Sequence, residues 1–201
     1  MISPLTHERA LRALPTARRL IAPLTRARLL RALEELHATG TLTPALEASL
    51  RASNLAALRA APTAGRPYGR VPLEHGARGE VMLATWQPGV RCAPHDHGGT
   101  QGRVLVLAGR FEERRFALDG PALGVPSEVR RWQAGESIEV ARDVVHDMES
   151  ADAVGLTLHL YPGDAGPARL YDAEARCTYL ARGGAWLPPD DVVQREPWTR
   201  P

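Results

Sequence analysis

From Tyr68 onward the chain breaks into short β-prone runs interrupted by turn residues, and this rhythm limits the possible folds more than any other feature. The runs are Glu80–Trp86, Arg103–Leu107, Arg110–Phe116, Glu128–Trp132, Ser137–Val140 and Val154–Tyr161, with Gly, Pro and Asp between them. Gln87-Pro88-Gly89, Leu107-Ala108-Gly109 and Ala134-Gly135-Glu136 are natural corners, because Gly reaches backbone angles closed to other residues and Pro presets a turn. Several short strands at fairly regular spacing predict a mainly β sandwich or barrel.

The first third has a different texture. Leu29, Leu30, Leu33 and Leu36 fall close to one helical face, and Gly40 is a natural stop after His37 and Ala38. Thr43-Pro44 reads as a helix start, with the Thr hydroxyl as cap and Pro in the first turn; a further helix is expected over residues 45–60. The stretch Ala61–Pro67, rich in Pro and Gly, marks a boundary. The expected organisation is therefore helices over residues 1–62, a β-barrel over 63–180 and an irregular segment over 181–201 carrying Trp186, Pro188, Pro189 and Trp198. No internal repeat or low-complexity stretch interrupts it.

Composition excludes several classes of function. Hydrophobic residues make up 44% of the 201, enough for a real core, so disorder is not the expectation. All 25 basic residues are arginines, but they are scattered among 23 acidic ones, and nucleic-acid binding needs a clustered basic face. The two cysteines, Cys92 and Cys177, make no disulfide framework. The start, MISPLTHERALRAL, has no apolar signal-peptide core, and no run approaches a membrane span. The reading is a cytoplasmic protein in a reducing compartment, binding neither nucleic acid nor membrane. Its oligomeric state is left open, a monomer being compatible with the sequence.

His95-Asp96-His97 is the strongest local motif. On an extended strand, residues two apart point to the same side, so the two imidazoles are expected to converge about 7 Å apart along the strand. A third ligand must come from elsewhere in the fold, and His146 is the best candidate because it follows an expected turn and strand. An isolated pair of this kind is a weak signal, since histidine is often a partly buried polar residue with no ligand role. Its glycine frame strengthens it: Gly89 lies six residues before His95, Gly109 twelve after His97, and Gly135 eleven before His146.

This frame resembles the two signature motifs of the cupin superfamily. Gly89, His95, His97 and Gly109 fit the first without a gap; Gly135 and His146 fit the second, with Ala141, Asp143 and Ser150 in place of its Pro, Gly and Asn. The resemblance implies one cupin-type domain, a double-stranded, jelly-roll-like β-barrel with the metal inside and the N-terminal helical segment attached. One departure matters. The acidic cupin ligand should fall at position 102, which is Gly102. The metal would then have three neutral imidazoles and room for a substrate anion such as a thiolate, whereas a ferrous oxygenase usually completes its triad with a carboxylate. A three-His zinc site with bound water is a competing reading.

The run Gly155–Tyr161 bears on that choice. Thr157, His159 and Tyr161 share one face and Leu156, Leu158 and Leu160 the other. A Thr-His-Tyr row is costly to bury unless hydrogen-bonded; the alternative is a row facing solvent. Taken with the three histidines, the row resembles the Ser-x-His-x-Tyr of the cysteine dioxygenase family of thiol dioxygenases, with Thr157 in place of the Ser. Tyr68-Gly69-Arg70 stands where that family carries a Tyr-x-Arg pair, and Trp86 at a Trp nine residues before the first ligand. The resemblance spans Tyr68 to about Tyr161.

It implies one Fe(II) per chain on His95, His97 and His146, suited to a reducing compartment, with a small thiol and dioxygen as substrates and a sulfinic acid as product. Arg70 would clamp the substrate carboxylate, Tyr68 would line the same wall, and Tyr161, held by His159, would donate its phenolic proton. Some members crosslink a Cys at the position of Gly102 to the Tyr at that of Tyr161, which this chain cannot do; Cys92 and Cys177 read as ordinary buried thiols. L-Cysteine is the favoured substrate, because a sister group acting on 3-mercaptopropionate tends to place Gln where Arg70 stands. The alternatives of another class are a non-catalytic cupin and a cupin enzyme using zinc, manganese or nickel.

Overall fold

The computed structural model describes residues 21–151, 153–163 and 166–198; the start of the expected helical region and the stretch read for a signal peptide lie outside these. Helix α1 (Pro23–Thr39) buries Leu29, Ala32, Leu33 and Leu36 along one stripe, with Leu30 half-buried at its margin. It ends as expected at Gly40, whose φ of 74° lets its N–H return to the Leu36 carbonyl. Helix α2 (Pro44–Arg51) starts at Pro44, but not through the expected hydroxyl cap. The Thr43 N–H instead donates to the carboxylate of Glu35 on α1, which supplies the capping acceptor from outside the helix. The helix expected over 45–60 stops at Arg51, and a 3₁₀ turn covers Leu55–Leu58. Ser53 ends it: its hydroxyl bonds back to the Ser49 carbonyl, local competition that favours helix ends over interiors.

Eleven strands follow among the described residues: β1 (Tyr68–Gly76), β2 (Gly79–Trp86), β3 (Gly102–Ala108), β4 (Arg110–Asp119), β5 (Ala122–Gln133), β6 (Ser137–Val140), β7 (Val145–Ser150), β8 (Gly155–Pro162), β9 (Ala168–Asp172), β10 (Cys177–Arg182) and β11 (Asp191–Pro197). They form a five-stranded sheet ordered β1-β2-β8-β3-β6, a three-stranded sheet β5-β4-β7 and a second three-stranded sheet β11-β10-β9, paired antiparallel throughout. The architecture is the expected mainly β, double-stranded barrel.

The five-stranded sheet is covered on both faces, and this positions the site. On one face Leu73, Val81, Leu83, Leu105, Leu156, Leu158 and Leu160 pack against the leucines of α1 and α2. Each such side chain contributes roughly 1.5–3 kcal/mol on burial. On the other face Tyr68, Met82, Trp86, Val104 and Tyr161 meet Phe111 of β4 and Met148 of β7. Arg51, last in α2, ties the helical layer to the barrel by donating to the Val106 and Glu136 carbonyls at 2.7 and 2.8 Å.

The segment from Ala181 departs from the irregular expectation. It completes β10 and then forms β11, an edge strand paired with β10. Its mostly exposed Asp-Val-Val-Gln-Arg-Glu-Pro sequence lacks the alternation that marks a half-buried strand, so pairing rather than burial defines it. Trp198 anchors its end, the indole N–H donating to Thr178 Oγ1 at 2.8 Å. No helix among the described residues is long and apolar enough to cross a membrane.

Candidate metal centre

The His95-Asp96-His97 segment is not the extended strand expected from its spacing. His95 makes only isolated bridges, to His146 and to Leu170, and its neighbours are loop. The segment is stretched between two sheets instead. On one side the backbones of His95 and His146 exchange hydrogen bonds of 2.9 and 3.0 Å; on the other, Asp96 N–H donates to the Arg169 carbonyl at 3.0 Å. The Asp96 side chain fastens the loop further by accepting from the N–H groups of Gly98 and Arg169 at 3.0 and 2.8 Å. Asp96 therefore shapes the motif, while its two histidine neighbours face the pocket.

The three imidazoles form a nearly equilateral cluster, with ring centroids 4.9, 5.0 and 5.0 Å apart and one ring nitrogen from each within 4.8 Å of the others. Two of the rings have their tautomer fixed from behind. His95 donates Nδ1–H to the Ala93 carbonyl at 2.9 Å, and His146 donates Nδ1–H to Glu113 Oε1 at 2.7 Å. Each bond leaves Nε2 as a free lone pair. Burial, reinforced by the neighbouring histidines, pushes His95 down to about 3 and His97 well below its usual value. His97 Nδ1 is buried with no hydrogen-bond partner among the described residues. Converging imidazoles, two of them oriented from behind and His95 and His97 kept neutral by burial, are what a divalent metal requires of this residue type, so the residues present fit a metal cofactor.

Behind the cluster lies a group that sequence reasoning missed. Glu113 is fully buried on β4; besides His146 it accepts from Trp132 Nε1 at 2.9 Å and Arg115 Nε at 3.2 Å. Burial alone would raise its carboxyl, but the hydrogen bond from His146, with Arg115 and Trp132, holds it below the ordinary value. The sequence Arg110-Phe-Glu-Glu-Arg-Arg reads as a solvated charged strand. The available signal was Phe111: if that residue faces the core, so does Glu113, two positions on.

Gly102 explains why no carboxylate joins the cluster. A β-carbon there would lie 2.3 Å from Cδ1 of the Tyr161 ring and 2.7 Å from the Leu160 carbonyl oxygen. The missing side chain leaves the room that the Tyr161 ring occupies.

All eight residues of β8 are buried, which rules out a solvent-facing polar row. Trp86 Nε1–H donates to Thr157 Oγ1 at 2.8 Å, Thr157 meets His159 Nε2 at 2.8 Å, and His159 Nδ1 meets Tyr161 Oη at 3.2 Å. The Trp N–H can only donate. Every donor in the chain finds an acceptor if Thr157 passes its hydroxyl hydrogen to Nε2 and His159 gives Nδ1–H to the Tyr161 oxygen. The phenolic hydrogen of Tyr161 is then free to point into the pocket. Burial first, then Tyr68 and Glu80, raises the Tyr161 hydroxyl well above its usual value, so it stays protonated. Burial pushes His159 down to about 3, so it stays neutral. The Tyr161 ring centroid lies 5.1 Å from that of His97, which sets the hydroxyl beside the cluster.

A cavity of about 340 Å³ connects these groups with Tyr68, Arg70, Glu80 and Cys92. Tyr68 lines it, and its hydroxyl oxygen accepts the Ala185 N–H at 2.7 Å. This bond draws Gly183, Gly184 and Ala185 over the pocket as a wall, a placement with no local sequence signal. Arg70 also lines the cavity, but it is ion-paired with Glu80, a second residue the sequence reading passed over. Cys92 accepts the Met148 N–H at 3.2 Å, and burial pushes its thiol up to about 12, so it is an unreactive lining group.

Residues 21–173 match the family model of cysteine dioxygenase type I. Among solved structures the chain is similar to an uncharacterized conserved protein with a double-stranded β-helix domain from Klebsiella pneumoniae, at 19% identity and a TM-score of 0.49, covering 58% of this chain and 93% of that one. It is similar to KdgF from a Halomonas species at 16% identity and a TM-score of 0.44, covering 54% and 91%. A cupin superfamily protein from Desulfitobacterium hafniense shares 14% identity at a TM-score of 0.44, covering 55% and 88%. No curated protein matches the chain.

Proposed function

Because the chain belongs to the cysteine dioxygenase type I family, we propose that it is an iron(II) thiol dioxygenase that adds both atoms of dioxygen to the sulfur of L-cysteine, giving cysteine sulfinic acid. The observation that carries this reading is the hydrogen-bonded row Trp86–Thr157–His159–Tyr161, ending on a protonated phenol beside three convergent imidazoles. A module that only binds a small molecule needs no oriented proton donor there.

His95, His97 and His146 would hold the iron. When bound, the ion supplies a coordination point for the thiolate sulfur and the redox chemistry that lets dioxygen react. With Gly102 in place of an acidic ligand, the protein leaves an anionic position to the substrate. Arg70 offers its guanidinium to the substrate carboxylate, and Tyr68 with the Gly183–Ala185 segment closes the wall behind it. Tyr161 donates its hydroxyl hydrogen into the pocket, and His159 keeps the oxygen of that hydroxyl in place. A reducing compartment such as the cytoplasm accords with Cys92 and Cys177 both being free thiols.

The test is dioxygen uptake by iron-reconstituted protein, with cysteine and 3-mercaptopropionate side by side and sulfinate quantified. Uptake stoichiometric with cysteine sulfinate is the expected result. A preference for 3-mercaptopropionate keeps the chemistry and overturns the substrate. No uptake with iron bound, or activity only with zinc, manganese or nickel, overturns the dioxygenase reading.

Tyr161→Phe keeps the ring that fills the space over Gly102 and removes only the hydroxyl. Turnover should fall roughly 100-fold or more while iron content stays at the wild-type level, since a positioned proton donor is worth that much. Unchanged turnover would remove Tyr161 from the proposed chemistry.

A further inference from the structure

Arg70 reaches the pocket by lying along the neighbouring strand. The residue directly opposite it on β2 is the small Ala84, and the next two β2 positions on the pocket side are Met82 and Glu80. The Arg70 side chain runs past both. Its Nε approaches Met82 Sδ at 2.9 Å, and its Nη2 is ion-paired with Glu80. These contacts occupy one edge of the planar guanidinium, the edge formed by Nε and Nη2. The next edge, formed by Nη1 and the second Nη2 hydrogen, takes no further hydrogen bond or ion pair among the described residues. A guanidinium holds five N–H donors in a fixed fork, so a carboxylate can be held by two parallel bonds on that open edge while Glu80 stays in place.

We propose, building on the thiol dioxygenase reading above, that Glu80 is a positioning residue: it grips one edge of Arg70 so that the open edge is presented to the substrate carboxylate. The two side chains are only 19% and 18% exposed, so solvent and salt screen the grip little. Two effects of opposite sign follow. The negative charge of Glu80 weakens the attraction between Arg70 and a second carboxylate. Its hydrogen bond orders a long side chain before substrate arrives, and ordering such a chain on binding otherwise weakens affinity by roughly three- to tenfold. The ordering effect wins in this geometry, because Glu80 does not occupy the edge that the substrate needs. The same strand also ties the fork to the proton donor, since in the β2–β8 register Glu80 stands opposite Tyr161 and Met82 opposite His159. Glu80 thereby fixes where the carboxylate lies relative to the Tyr161 hydroxyl.

The test is equilibrium binding rather than turnover. L-Cysteine and cysteamine are titrated anaerobically into the Fe(II)-loaded protein. Cysteamine has the same thiol and amino group but no carboxylate, so it reads the site without Arg70. The wild type should bind cysteine at least roughly tenfold more tightly, as a charge-assisted pair between partly buried groups allows. Glu80→Ala should weaken cysteine binding by roughly three- to tenfold and leave cysteamine unmoved. Glu80→Gln keeps an oxygen for Nη2 and should hold cysteine at least as tightly as the wild type does. Glu80→Asp keeps the charge but shortens the arm, so it should weaken cysteine binding as Ala does. Unchanged or tighter cysteine binding in Glu80→Ala and Glu80→Asp overturns the proposal. An equal loss for both thiols in Glu80→Ala also overturns it, because that marks a general structural role. Equal affinities of the wild type for the two thiols overturn it without any variant, so a misfolded variant does not shield it. A protein that shows the expected binding pattern but consumes no dioxygen would bring down the proposed reaction and leave the role of Glu80 standing.

Discussion

His95→Ala, His97→Ala and His146→Ala each reduce metal retention to background. The three ring nitrogens lie within 4.8 Å of one another, and no carboxylate or thiol among the described residues joins the cluster, so nothing on hand replaces a lost imidazole. Two remaining rings form an incomplete facial set, and divalent ions held by two imidazoles exchange readily with solvent. The measurement is metal content after iron loading and desalting, read beside far-UV circular dichroism to confirm folding. Full occupancy in any one variant removes that histidine from the site. A second consequence is thermal. A ligand at 100 times its Kd stabilises the native state by about 2.7 kcal/mol, so iron should raise the melting temperature of the wild type and leave the three variants unmoved.

The legibility of this site depended on what kind of pattern each residue belonged to. His95, His97 and His146 were readable because glycines bracket them. Gly89, Gly109 and Gly135 have φ of 67, 88 and 97°, at the corners that deliver the motif segments to one place. The two histidines of the motif converge from a loop pinned by Asp96, not from the strand that their spacing suggests. The Thr157, His159, Tyr161 row was readable because strict alternation with leucine assigns faces without knowledge of the fold.

Glu113 and Glu80 were unreadable for the opposite reason. Each is a charged residue in a polar-looking run, where exposure is the ordinary expectation, and only tertiary pairing with His146 or Arg70 draws it inward. The Gly183–Ala185 wall was hidden differently. Its place over the pocket follows from a long-range bond to Tyr68, about which local sequence carries no information.

Replacing Glu113 should weaken metal binding without touching a ligand. In the wild type its carboxylate fixes the Nδ1–H tautomer of His146, directs Nε2 into the cluster and places a negative charge one residue behind a site that has none of its own. Carboxylates that orient ligating histidines typically contribute 10–100-fold in metal affinity. Glu113→Gln keeps an oxygen for the His146 N–H but loses the charge, and it leaves Arg115 without its carboxylate partner close to a cation site. Glu113→Ala also leaves the His146 Nδ1–H without an acceptor and the ring free to turn. Competition against a chelator should therefore show the iron Kd rising about tenfold in Glu113→Gln and towards 100-fold in Glu113→Ala, with circular dichroism unchanged. The order of the two variants separates the roles. Equal losses would mean that charge, not the hydrogen bond, is what His146 receives. No loss in either would mean that Glu113 merely neutralises Arg115, and that the tautomer of His146 is set by the metal itself.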